Sequence, residues 1–155
     1  MKTKLIPATR ILWFSIALFL LACSGARAQA ADMKFQACLV WGTDESKPPE
    51  GKGYKPVDPE IRKKLKDLPL KWANWFEVKR VDFAVPQGAT KEVALSDKCQ
   101  VNVKLLGGSE VEVTHIGKGK EVMKWKQPLP KDEIMMLAGN APNSTAWLVV
   151  LKRLE

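Results

Sequence analysis

The chain is short of the residues that usually build reaction centres. Among its 155 residues are one histidine, one tyrosine and three cysteines. One histidine excludes the multi-histidine metal sites and leaves a single imidazole for acid–base work. Cys23, Cys38 and Cys99 lack the paired spacing of a zinc site, and no His–Glu cluster offers ligands to another metal. No cofactor motif is present. Gly117-Lys118-Gly119-Lys120 superficially suggests a phosphate loop, but the spacing is wrong and no Ser or Thr follows Lys120. The 17 carboxylates are scattered, so nothing selects a pair for glycoside hydrolysis.

Long apolar runs are also scarce. The one exception, Ile11 to Ala22, follows Lys2, Lys4 and Arg10 and precedes Ala28-Gln29-Ala30. A basic start, a short apolar run and an Ala-x-Ala site predict a secretory signal peptide over residues 1–30. The run is shorter than the about 20 residues of a membrane span. A second reading of the same segment is a lipoprotein signal over residues 1–22. Leu20-Leu21-Ala22-Cys23 resembles the bacterial lipobox, with Cys23 as the lipidated residue, and Ser24 would not hold such a protein at the inner membrane. Both readings place a bacterial chain outside the cytoplasm, periplasmic or extracellular, with an outer-membrane anchor in the second.

The charge balance points the same way. Lysine and arginine number 25 against 17 acidic residues, for a formal +8. Four of the basic residues and none of the acidic ones lie in residues 1–30, so the remainder carries 21 − 17 = +4. A charge of that size favours solubility and weak attraction to anionic polymers; it does not argue for nucleic acid. Residues 31–155 are read as one β-rich domain, long enough to bury a core.

What is present is alternation. Cys99, Val101, Val103 and Leu105 share one face against Gln100, Asn102 and Lys104, and Gly107-Gly108-Ser109 then turns the chain. Val111 and Val113 alternate with Glu110 and Glu112, and Gly117-Lys118-Gly119 turns it again before Met123 and Trp125. Period-2 patterns broken by glycine turns predict three antiparallel strands with one wet face. Phe35 to Trp41 and Thr145 to Leu154 are apolar on both faces, which suits strands inside a sheet. Trp72 to Val85 is another strand, whose apolar phase slips between Val78 and Val81 as at a bulge. Asp58-Pro59-Glu60 caps a short helix near residues 58–68, carrying Ile61, Leu65 and Leu68 at helical spacing.

These elements predict an all-β fold, an antiparallel immunoglobulin-like sandwich with one short helix. The alternative is an SH3-like barrel with an amino-terminal extension. An oxidising compartment predicts a Cys38–Cys99 disulfide, closing a loop of about 60 residues and worth on the order of 4 kcal/mol. The competing expectation is two separate buried thiols.

Function follows mainly from what is missing: an exported or envelope-associated, non-catalytic module that binds another macromolecule, most simply a protein. Arg62, Lys63, Lys64 and Lys66 on the helix form the densest positive patch, suited to an anionic partner or to plain solvation. A glycan- or peptidoglycan-binding module is the alternative, with Trp41 and Trp75 stacking on sugar rings. The least supported reading is a small hydrolase centred on His115, which an unbroken strand turns inward and a bulge at His115-Ile116 turns outward.

Overall fold

The computed structural model describes residues 31–140 and 145–155; residues 1–30 and 141–144 lie outside the described residues. The strands are β1 (Met33–Thr43), β2 (Lys55–Pro56), β3 (Asn74–Val85), β4 (Thr90–Ala94), β5 (Cys99–Gly107), β6 (Glu110–Gly117), β7 (Lys120–Pro128), β8 (Ile134–Asn140) and β9 (Ala146–Arg153), with helix α1 over Pro59–Lys66. They form two antiparallel sheets, ordered β2-β3-β1-β9-β8 and β4-β5-β6-β7. The expected sandwich is present, with two separate sheets and free edges rather than a closed barrel.

The second sheet is a simple meander, as its alternating sequence dictates. Its β6–β7 connection is a two-residue turn in which Lys118 and Gly119 have φ of 50° and 75°. Two successive positive φ values are the mirror-image turn whose twist matches paired strands. In the first sheet, β1 and β9 lie side by side at the centre, each apolar on both faces. The slip expected in β3 is a bulge: Leu39 faces Lys79 while Val40 faces Glu77, leaving Val78 as the extra residue.

Strand parity divides the apolar residues between two layers. Phe35, Ala37 and Leu39 of β1 meet Val101, Val103, Leu105, Val111 and Val113 of the meander in the inter-sheet core. Cys38 and Val40 point the other way, with Leu148 and Val150 of β9, and are covered by Val57 and by Ile61 and Leu65 of α1. The helix therefore acts as a lid on the outer face of the first sheet.

The same parity removes the expected disulfide. Cys38 faces the helix layer, whereas Cys99 belongs to the meander and packs against the inter-sheet core. Both cysteines are free thiols, with the first sheet between their environments. Sequence alternation gives each cysteine its neighbours but not which face of a sheet meets the second sheet, and that choice separates them.

Candidate functional site

Four regions of the described residues carry polar or aromatic groups that could serve a function.

The first lies where α1 meets the first sheet. Asp58 accepts a hydrogen bond from the Ile61 N–H through Oδ1 at 3.0 Å, and from Arg80 Nη2 through Oδ2 at 3.1 Å. Arg80 also donates to Glu77 Oε2, at 2.5 Å from Nη2, and to Gln36 Oε1 at 2.9 Å. Gln36 in turn donates to Asp82 at 2.8 Å. Burial would raise the Asp58 pKa, but the Ile61 N–H and Arg80 outweigh it and hold the carboxyl below its ordinary value. Arg80 is held further into its charged form, chiefly by Glu77. Beside this cluster is a cavity of about 210 Å³, walled by Cys38, Ile61, Arg80, Val150 and Lys152 among others. Its cations already have partners, since Lys152 is 2.6 Å from Glu60. Its thiol is inert: burial first, then the Glu77 charge, pushes Cys38 up to about 12. The cluster reads as a clamp between helix and sheet, and no sequence motif announced it.

The second is the basic helix face. Arg62, Lys63, Lys64 and Lys66 are all exposed, opposite the buried Ile61 and Leu65. Among the described residues none of the four forms an ion pair.

The third is the aromatic set. Trp41 is only 7% exposed and lies 6.0 Å by ring centroid from both Tyr54 and Phe76, so it offers a sugar almost no open face. Trp75 is half-buried on the opposite, helix-facing side of the sheet. A Cβ at Gly42 would collide with the Trp75 ring, so the absence of a side chain there lets the indole lie flat on β1. The two rings expected to form a stacking platform therefore belong to different layers. Among the described residues the exposed tryptophan ring is Trp125, at 52%, on β7. It stands opposite Val113 and shares the face of Met123, yet remains open to solvent at the sheet edge. Its Nε1 donates to Gln127 Oε1 at 3.0 Å, which fixes the ring orientation. Its place on an outermost strand depends on sheet order, which the sequence does not display.

The fourth surrounds His115. The β6–β7 register shift leaves β6 regular: His115 faces Met123 and Ile116 faces Glu121, so Val122 of β7 is the extra residue. His115 accordingly turns inward and is 8% exposed. Its Nε2 lies 3.5 Å from Cys99 Sγ, and its Nδ1 is buried with no hydrogen-bond partner. Burial lowers the His115 pKa and raises Cys99 to about 11. Both groups are neutral at pH 7. The ring tautomer decides which of Nε2 and the thiol donates in this contact. Among the described residues no carboxylate contacts the ring.

Among the described residues there is no group of three or more His, Cys, Asp or Glu side chains that could hold a metal, and no helix long and apolar enough to cross a membrane. Cys23 lies outside the described residues. Comparison with protein-family models, curated proteins and solved structures gives no match.

Proposed function

We propose that this chain is an exported or envelope-associated binding module without catalytic activity, and that it recognises an extended, acidic segment of another protein at the free edge of β7. The observation that carries this reading is the exposed tryptophan on an unpaired strand. β7 runs nine residues, pairs among the described residues only with β6, and presents Trp125 and Val122 at 52% and 55% exposure. A free edge offers main-chain donors and acceptors to a further strand, and a neighbouring aromatic ring adds apolar contact. The β4 edge is less open: Lys79 reaches from β3 across to the Ala94 carbonyl of β4 at 3.0 Å, bridging the groove between those strands.

Lysines on an edge strand ordinarily deter pairing. Here Lys120, Lys124 and Lys126 stand against Glu121 on β7, with Lys124 3.9 Å from Glu121 and Lys126 3.1 Å from Glu112 of β6. Such an edge repels a second copy of itself while favouring an acidic partner, which is selectivity rather than a general block. A photo-crosslinking residue at Val122, expressed in the native cell, tests this. Adducts to acidic, extended segments that disappear with Trp125→Ala support the reading. Adducts formed only from the same probe placed at Leu68, beside the basic helix, overturn it.

A glycan-binding reading has one observation in its favour, the oriented and exposed Trp125 ring, which could stack on a sugar. A tryptophan fluorescence shift on adding cell-wall polysaccharide, lost in Trp125→Ala, would replace the protein-binding reading with this one.

A further inference from the structure

The inner face of the meander ends in an unusual trio. Cys99 and Met123 pack against the inter-sheet core, and His115 is buried on the strand between theirs. His115 is directly opposite Met123 in the antiparallel register, which sets their Cβ atoms about 5 Å apart. On its other side His115 meets Cys99, with 3.5 Å between Nε2 and Sγ. Across the sandwich the neighbour is Gly139, where a Cβ would lie 3.7 Å from the imidazole Cε1.

We propose that Cys99, His115 and Met123 form a binding site for monovalent copper. Three arguments carry it. The first is donor chemistry: a thiolate, a thioether and an imidazole are the soft set that favours Cu(I), while the hard cations need oxygen ligands that this pocket does not supply. The second is spacing. Metal–sulfur and metal–nitrogen bonds of about 2.3 and 2.0 Å meeting near the 120° of a three-coordinate site put the two donors about 3.7 Å apart, close to the observed 3.5 Å. The third is charge. Binding transfers the Cys99 proton to solvent and forms a Cu–S bond without any change of oxidation state. One positive ion then meets one thiolate and two neutral donors, so the complex is neutral overall. A divalent ion would leave a net charge in an apolar layer, which is costly.

The state of His115 supports the assignment. It is more than nine-tenths buried, meets a thiol through Nε2, and among the described residues keeps a buried ring nitrogen without a hydrogen-bond partner. Valine occupies the equivalent inward positions 111 and 113 without any such cost. The extra residue at Val122 sits immediately before Met123, and bulges of this kind re-aim the adjoining side chain.

The test uses the full chain carrying Cys23→Ser and Cys38→Ala, so that Cys99 is its sole thiol, titrated anaerobically with Cu(I) against a colorimetric Cu(I) chelator. One equivalent should bind, and X-ray absorption should find two sulfurs and one nitrogen around the copper. Met123→Leu should weaken binding at least about tenfold, the scale of lost metal-site groups, and Cys99→Ser should abolish it. Equal retention of Cu(I) by the Cys99→Ser chain, or a copper shell with a single sulfur in the chain that keeps Met123, overturns the proposal. The second measurement needs no substitution at the site and so stands even if a variant misfolds.

Discussion

Asp58 joins two jobs in one carboxylate, and substituting it separates them. One oxygen caps α1 at the Ile61 N–H and the other meets Arg80. Losing an N-cap costs about 1 kcal/mol. The Arg80 contact is about one-third exposed on each side, so it is discounted to roughly 0.5 kcal/mol. Asp58→Ala should therefore destabilise by about 1.5 kcal/mol, lowering Tm by roughly 5 °C in a domain of this size. Asp58→Asn keeps a good cap and loses only the charge, so its cost should be near 0.5 kcal/mol. Urea unfolding of the three proteins at pH 7 measures both differences. The folded Asp58 pKa lies below its ordinary 3.8. Its contribution is thus complete above that value and is lost as pH falls through the folded pKa, so the Asp58→Ala gap should close in acid. An Asn variant as damaged as the Ala variant would refute the assignment of the larger share to capping. An Ala variant as stable as the parent would refute the whole account.

Further outcomes follow from other contacts. Gly42→Ala forces a methyl group into the Trp75 ring and should cost about 1–3 kcal/mol, read as a lower urea midpoint. His115 is neutral in the fold with a pKa lowered by burial, so the unfolded chain binds the proton more readily and stability should fall as pH drops below about 6.5. His115→Leu should flatten that dependence between pH 7 and 5 in thermal melts. Cys38 is 1% exposed and should resist maleimide until the protein unfolds, while the half-buried Cys99 labels slowly in the native state; intact mass should not change on reduction. Phe35, fully buried in the inter-sheet core, should cost about 3–5 kcal/mol when replaced by alanine, by equilibrium unfolding.

Much of the fold was legible in local pattern. The three meander strands, their glycine turns, the Asp58-Pro59 helix start and the Val78 bulge each have short-range causes: side-chain period, backbone freedom or capping chemistry. What was not legible depends on how distant segments come together. Cys38 and Cys99 each sit in a strand as expected, yet which face of the first sheet meets the meander is a tertiary outcome, and it keeps them apart. Trp41 and Trp75 are adjacent to apolar residues in sequence and vanish into two different layers. Trp125 reads like any alternating strand residue until its strand is found to be outermost. The Arg80 clamp and the Cys99–His115–Met123 trio join residues separated by one or more strands, and only register brings them together. Counting back from the β6–β7 turn would set Val122 opposite His115; only the bulge at Val122 brings Met123 there, and Cys99 stands opposite Gly117, diagonal to His115, so the trio was not legible in the sequence.

Strand β9 has a consequence for how the molecule comes into being. It lies between β1 and β8, and beyond it the Leu154 N–H reaches back to the Lys34 carbonyl at 2.8 Å. Synthesis runs from amino to carboxyl end, so β1 waits for its neighbour until every other strand of the domain has already been made. During that interval the ribosome-borne polypeptide has half of its main sheet unsatisfied and stays pliable. The first sheet therefore closes only when its latest strand is released.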